Sequence, residues 1–260
     1  MTDFCLNADE LAFYLEHGYL TRSCVFSAKE ISRLIGSVEA AARSAYEQTS
    51  QGKMYLLDGK RFVDVGSMTV QFEHGLGSDS VRVIEPAQHL HPDLASLIRD
   101  ERIIAPIRSI VGGEIGLWTN KLNLKVGVEG SGFGWHQDSP YWIHYSNHVD
   151  QMPNVYLAFD DATEANGCLR VIDRSHHSGC LPGAADGTQL GGFFTDPQFF
   201  DEQDAVSLTL AAGSMVFFDP HVVHGSNPNR TTEARRAMVM TYQPAGFPML
   251  KTGEVVNIDV

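Results

Sequence analysis

His136-Gln137-Asp138 and, 88 positions later, His224 are the residues of this chain whose types and spacing most plainly suggest chemistry. A His-x-Asp pair joined by one distant His is the ligand set of a mononuclear non-haem iron(II) site. Two imidazoles and one carboxylate cover one face of an octahedron and leave the other positions open. On a strand, residues i and i+2 share a face, so His136 and Asp138 can reach one metal while Gln137 points away. Around them, Gly134-Trp135-His136-Gln137-Asp138-Ser139-Pro140-Tyr141-Trp142 is polar at its centre and aromatic on both sides. The second half lies in Gly213–Ser226, where an apolar run ends in a turn before His224-Gly225-Ser226. His221 competes as third ligand. The flanking Gly225-Ser226 and the spacing to the arginines downstream favour His224. The carboxylate of Asp138 also separates this site from halide-binding relatives of such centres, which replace it with a small residue. Oxygen transfer or desaturation is therefore expected.

An iron(II) centre of this kind needs two electrons from elsewhere to cleave O2, and oxidative decarboxylation of 2-oxoglutarate can supply them. The distal carboxylate of that acid calls for a charged, geometrically matched partner, and arginine suits it best. Arg235 lies eleven residues after His224. That spacing allows a hairpin return to the same interior. Arg236 is the alternative, and strand alternation lets only one of the two point inward. A surface charge or a salt bridge is the plainer reading of either. Tyr141 and Trp142 suit the wall of a substrate pocket, and core packing suits them nearly as well. The histidines His176 and His177 read as structural, and His144 and His148 as rim residues.

The elements that must carry these residues change character along the chain. Asp9–His17 reads as a short helix stopped by Gly18. Ser27-Ala28-Lys29-Glu30 is a capping box, and the apolar residues after it recur at helical spacing. A second long helix is expected from about Pro92 to Val111, ended by Gly112-Gly113 and kinked or broken at Pro106. From Ile115 the texture turns to short strands: Gly116–Lys125, Asn154–Asp160, Cys168–Ile172, Ala205–Thr209, Ser214–Phe218 and Arg236–Pro244. Helices first and short strands afterwards suggest a jelly roll with a helical buttress. The stretch Pro182–Gln203 is long for a plain loop and reads as a lid over the site.

Composition narrows the classes. With 32 acidic against 19 basic residues the formal net charge is −13, which argues against a nucleic-acid or anionic-membrane partner. A local basic pocket for a small acid stays open. Cys5, Cys24, Cys168 and Cys180 show no CxxC spacing, so reduced thiols in cytosol are the simpler reading. MTDFCLNADE lacks the runs of a signal peptide, and no stretch approaches the ~18 apolar residues of a membrane span. The expected location is cytoplasmic. The final Asn257-Ile258-Asp259-Val260 is not a Ser-Lys-Leu-type address.

The chain resembles the phytanoyl-CoA dioxygenase family of iron(II)/2-oxoglutarate oxygenases, over roughly Asn7 to Gln243. Trp135-His136-Gln137-Asp138 matches the family's ligand motif. Phe159-Asp160-Asp161-Ala162-Thr163-Glu164-Ala165-Asn166-Gly167-Cys168-Leu169 matches its D-A-T-x-x-N-G-C-L signature. Val171-Ile172-Asp173-Arg174-Ser175-His176 resembles its V-I-P-G-S-H segment, and His224-Gly225-Ser226 with Arg235 matches the distal ligand and co-substrate arginine. The resemblance implies iron ligands His136, Asp138 and His224, with Arg235 and Ser226 at the distal carboxylate of 2-oxoglutarate. It places Tyr156 where some relatives set a Trp beside the co-substrate. Asn123 and Lys121 fall where others contact co-substrate or substrate, and Arg82 where some have a basic residue near the same carboxylate. Asp173-Arg174 departs from the family's Pro-Gly, which implies an altered turn. The peroxisomal address is missing as well, so phytanoyl-CoA is not the expected substrate.

The expectation is thus a mainly β protein with a helical buttress and a double-stranded β-helix (jelly-roll, cupin-like) core. Residues 1–260 form one domain, with a mostly helical part at 1–114 and the core at 115–246. It uses Fe(2+), 2-oxoglutarate and O2 to hydroxylate, desaturate or cyclise a small organic metabolite, releasing succinate and CO2. A cupin-like metalloenzyme without 2-oxoglutarate would leave Arg235 without a role. A non-catalytic jelly-roll module for small ligands would bind no iron.

Overall fold

The computed structural model describes residues 4–75 and 77–258. Residues 1–3 and 259–260, parts of the two terminal segments considered above, lie outside them.

Two helices open the chain. The first, α1 (Ala8–His17), is capped by Asn7 and Glu10 and ends at Gly18 in the left-handed region. The second, α2 (Ala28–Gln48), begins at the Ser27/Glu30 capping box. The stretch anticipated as one helix is two: α3 (Pro92–Leu97) and α4 (Glu101–Val111). The break falls at Ile98–Asp100 rather than at Pro106, which sits inside α4. Asp100 supplies the reason: its carboxylate accepts from the Arg102 N–H and caps a new helix start.

The eight core strands are β6 (Ile115–Lys125), β7 (Phe133–His136), β8 (Asn154–Ala158), β9 (Leu169–Ile172), β10 (Ala205–Leu208), β11 (Met215–Phe218), β12 (His224–Ser226) and β13 (Arg235–Pro244). They divide between two antiparallel sheets, with β11-β8-β13-β6 in one and β10-β9-β12-β7 in the other. This is the jelly roll expected. The larger sheet is extended by β1 (Tyr19–Arg22) beside β11. On its other side stand β5 (Val81–Glu85), β4 (Met68–Phe72), β3 (Lys60–Val65) and β2 (Lys53–Leu57), and a short β14 (Asn257–Ile258) pairs with β6. Helices first and strands afterwards is therefore corrected: the N-terminal part contributes five strands as well as its helices. A short helix, α5 (Ser139–Trp142), follows β7.

Alternation sorts the larger sheet into two faces. Leu122, Leu124, Val155, Leu157, Met215, Phe217, Met238 and Met240 pack with Leu34, Val38, Leu94, Ile104 and Ile107 of the helices. Tyr156, Val216, Phe218, Ala237 and Val239 face the barrel interior with Val171 and Leu169 of the opposite sheet. The helices thus back one face, and the interior between the sheets is left for the site.

Two turns hold that interior in shape. Arg174 takes φ 61, the left-handed region, where the family pattern has glycine. The turn survives the departure, at a conformational cost of roughly 1 kcal/mol. Gly167, at φ +75, passes so close to the next loop that a Cβ would stand 2.0 Å from the Asn227 carbonyl oxygen and 2.7 Å from Lys125 Nζ. Gly167→Ala is expected to destabilise by more than about 2 kcal/mol in urea unfolding. Gly113→Ala, whose Cβ meets nothing within 4 Å, is expected to change stability by less than about 0.5 kcal/mol.

Candidate active site

His136 ends β7 and His224 opens β12, and the two strands pair with these residues directly opposite one another. Their ring centroids are 4.2 Å apart. Asp138 follows at the start of α5, where Asp138 and Ser139 N–H donate to the Pro220 carbonyl and fix the turn. One ligand atom from each of His136, Asp138 and His224 lies within 4.8 Å of the others. Each imidazole is oriented by its backbone: Nδ1 of His136 faces the Gly134 carbonyl at 2.7 Å, and Nδ1 of His224 the Val222 carbonyl at 3.0 Å. A carbonyl only accepts, so Nδ1 carries the proton and Nε2 offers its lone pair inward. Burial, reinforced by His224, pushes the pKa of His136 down to about 3. Burial lowers that of His224 too. At Asp138 burial acts upward, but Lys121 and the imidazoles outweigh it and hold the carboxyl below its ordinary value. Two neutral imidazoles and an ionised carboxylate are the protonation states a divalent metal requires.

Asp138 is itself held. Its Oδ2 accepts from Asn154 Nδ2 at 3.0 Å, and Asn154 Oδ1 accepts from Thr241 Oγ1 at 2.6 Å. Lys121 Nζ stands 3.7 Å from Oδ1. Gln137 points away, as its place between the ligands requires, and ties the carbonyls of Gly179 and His221 to the Leu181 N–H. His221 turns outward to Asp150 at 2.8 Å and is no ligand here. His176 and His177 bond to the Leu15 and Glu16 carbonyls and are structural.

The triad opens onto a cavity of about 610 Å3 that also receives Arg82, Lys121, Asn123, Tyr156, Ser226 and Arg235. Alternation resolves the arginine pair: Arg236 turns out to Asp160 and Glu39, while Arg235 is buried inside. Arg235 Nη1 donates to Tyr156 Oη at 2.6 Å, and its Nε is buried without a partner among the described residues. Asn123 Oδ1 is likewise buried and unpartnered. Arg82 spans from Ser131 Oγ to the Gly132 carbonyl, with its guanidinium 3.7 Å from the Phe133 ring centroid.

Lys125 is the residue that motif reasoning missed. It lies opposite Arg235 in the β6–β13 ladder, on the same face as Lys121 and Asn123, and strand alternation from those two would have found it. Its Nζ donates to Ser226 Oγ at 2.9 Å and to the Gly167 and Asn227 carbonyls. Three acceptors match the three N–H bonds of an ammonium. Burial, together with Arg235 and Arg82, nonetheless pushes its pKa down to about 6. Buried Glu73 acts on Arg82 and Lys125 in the opposite sense. Its Oε2 accepts from the Ser131 N–H and hydroxyl, while its Oε1 is buried without a partner among the described residues. Arg235, and the Ser226 hydroxyl that Lys125 holds, line the same cavity.

The other end of the cavity is aromatic. Tyr141 stacks on Phe193 at 4.6 Å and donates its hydroxyl to the Phe193 carbonyl at 3.0 Å. Trp142 lines the cavity while packing edge-on against Trp118, so both readings of it hold. Trp135 stays outside, against Phe200 and Arg170. The segment 182–203 contributes Leu190, Phe193 and Phe194 to the cavity wall. It is fastened to the tip of the β2–β3 hairpin, where the Asp58 carboxylate accepts from the Gln189 N–H at 3.0 Å and the Leu190 N–H at 2.7 Å.

A model of the phytanoyl-CoA dioxygenase (PhyH) family matches residues 14–237. The chain belongs to this family. Among its relatives, ectoine dioxygenase of Bordetella parapertussis is 29% identical, over 91% of this chain and 75% of its own. A probable alpha-ketoglutarate-dependent hypophosphite dioxygenase of Stutzerimonas stutzeri is 26% identical, over 95% of this chain and 82% of its own. The crystal structure of EctD from S. alaskensis with 2-oxoglutarate and 5-hydroxyectoine superposes with a TM-score of 0.70 at 21% identity, covering 100% of this chain and 82% of that one, and shares the fold. As a phytanoyl-CoA dioxygenase family member the chain is an iron(II)- and 2-oxoglutarate-dependent dioxygenase acting on a small molecule, and its donor set fits both cofactors. No helix of the described residues is long and apolar enough to cross a membrane.

An anion beside Arg235 must raise the pKa of Lys125, so 2-oxoglutarate binding should take up a proton at pH values above the unliganded Lys125 pKa. Calorimetry of the Ni(II)-loaded protein at pH 8, in buffers of different ionisation enthalpy, is expected to show uptake approaching about one proton per 2-oxoglutarate. Affinity should correspondingly weaken as pH rises. Heats that do not depend on the buffer would rule this out, and Lys125→Met should abolish the effect.

Proposed function

We propose that His136, Asp138 and His224 hold the iron, and that the opposite end of the same cavity holds the distal carboxylate of 2-oxoglutarate. One observation carries the reading. The three ligand atoms converge within 4.8 Å in a cavity whose far end buries Arg235 with an unpartnered Nε.

The bound cofactors supply oxidative decarboxylation of 2-oxoglutarate to succinate and CO2, coupled to hydroxylation, desaturation or ring closure at a C–H bond. The protein's part is positional. Nδ1 contacts to backbone carbonyls set both imidazoles, and Asn154 and Lys121 set the carboxylate of Asp138. Arg235, Ser226 and Arg82 bind the co-substrate carboxylate, with Tyr156 orienting the guanidinium and Lys125 orienting the Ser226 hydroxyl. Asn123 lies between the two ends and faces the chelating part of the co-substrate. Tyr141, Trp142 and Phe193 wall the substrate side and exclude water. Relatives named for ectoine and for hypophosphite support a small polar substrate. A metalloenzyme without 2-oxoglutarate would leave Arg235, with its buried unpartnered Nε, without a role.

The net charge of −13 supports a chain that works without nucleic acid or an anionic membrane surface. Its cysteine usage supports a cytoplasmic setting, and the two sheets sharing one interior support a single catalytic unit over 1–260.

His136→Ala and Asp138→Ala are each expected to abolish substrate-dependent succinate formation, and turnover retained in either would sink the assignment. Arg235→Gln is expected to raise KM for 2-oxoglutarate by about a hundredfold, the loss of a buried charged pair of about 3 kcal/mol, with a smaller change in kcat.

A further inference from the structure

The geometry points to a small organic anion as the substrate, with its carboxylate, or a group of equal charge, held by Lys251. This rests on the dioxygenase reading above.

The protein as a whole is acidic, with 32 Asp and Glu against 19 Lys and Arg. The cavity that receives the triad reverses that sign. Lys60, Arg82, Lys121, Arg235 and Lys251 line it, against only Glu85 and Asp138. The two positive charges of iron(II) and the two negative charges of 2-oxoglutarate cancel. Among the lining residues, five cations and two carboxylates then leave an excess of three positive charges, with Glu73 behind Arg82 and Asp186 near Lys60 offsetting part of it.

The surplus can be placed. Arg82 and Arg235 lie at the co-substrate end. Lys121 stands between Asp138 and Glu85, whose charges outweigh its burial and raise its pKa. Lys60, on the hairpin, lies 5.5 Å from the Phe194 ring centroid. Lys251 stands at the exposed rim of the cavity. Like Lys60, Arg82 and Arg235 it has no carboxylate within 4.0 Å among the described residues, and of its three N–H donors one is used, on Thr69 Oγ1 at 2.9 Å. Thr69 passes that bond to Asp64 Oδ1 at 2.7 Å, where the Tyr55 hydroxyl also donates. The ammonium is therefore aimed by a chain of hydrogen bonds, with two donors left for a ligand. Its backbone is pinned as well: the neighbouring Leu250 donates its N–H to the Trp118 carbonyl at 3.0 Å and packs on the Trp118–Trp142 pair. In the same cavity the stacked Tyr141 and Phe193 rings, with Tyr141 6.2 Å from the His136 ring, offer apolar walls for the body of such an acid. Leu250 and Lys251 lie beyond the 14–237 family match, so this reader of charge belongs to a part of the chain that the shared pattern does not dictate.

The test uses the full chain loaded anaerobically with Ni(II) and 2-oxoglutarate. It is titrated with benzoate, phenylacetate and cyclohexanecarboxylate and with the neutral amide of each. The best-bound acid is expected to bind at least about tenfold tighter than its amide. In Lys251→Gln that preference should fall to within about twofold, with 2-oxoglutarate affinity unchanged. Amides that bind as well as acids, a failure of every acid to bind, or a preference that survives in Lys251→Gln would each overturn the inference. If 2-oxoglutarate itself does not bind the Ni(II) protein, the dioxygenase reading fails instead, and the acid–amide comparison is still decided on the metal-loaded protein alone.

Discussion

The antiparallel pairing of β12 with β7 sets His224 opposite His136, and that of β13 with β6 sets Arg235 opposite Lys125. These two registers constrain the rest of the structure. A slip of one residue in either ladder would turn its functional side chains to the other face. In the larger sheet that face is filled by the helices, so the alternate register would drive Arg235 and Lys125 into an apolar core and is strongly disfavoured. The helical buttress therefore does more than cover a sheet. It turns Lys121, Lys125 and Arg235 inward, while Arg236 on the helix-facing side is met by Glu39 of α2 and by Asp160.

Much of this was readable from residue order because the chemistry recurs at local spacing. His136 and Asp138 sit two apart at the end of a strand, and Gly225-Ser226 follows His224. The longer core strands were placed within about two residues by their apolar runs. What escaped had physical reasons. β7 and β12 are four and three residues long and carry the site itself, so polar ligands replaced the apolar alternation that marks a strand. Strands β2–β5 extend the sheet without one helical or strand period dominating. Pro106 was given the break that Asp100 makes, because a side-chain cap outweighed a missing N–H. The anchors Asn154 and Thr241 carry no motif of their own, since their role exists only once β8 and β13 lie side by side.

Charge is distributed against the composition. An acidic exterior discourages polyanions, while the interior of one cavity collects cations that only small anions can reach. Whole-chain charge thus speaks for encounters at the surface and says little about the ligand inside. Buried like charges also explain why the turn at Gly167 is so tight: its carbonyl is one of three acceptors for Lys125, and a looser loop would leave that ammonium unsatisfied.

The clasp between Asp58 and the backbone of Gln189 and Leu190 joins parts of the chain that are 131 and 132 residues apart. Both bonds are exposed to solvent, so each is weak. Parting them disturbs neither sheet nor the helical face. The contact between hairpin and loop is therefore a surface one, separate from the packing of the core. It can part while the ligand geometry stays rigid, and hairpin and loop can diverge together without touching the ladders that hold the metal ligands.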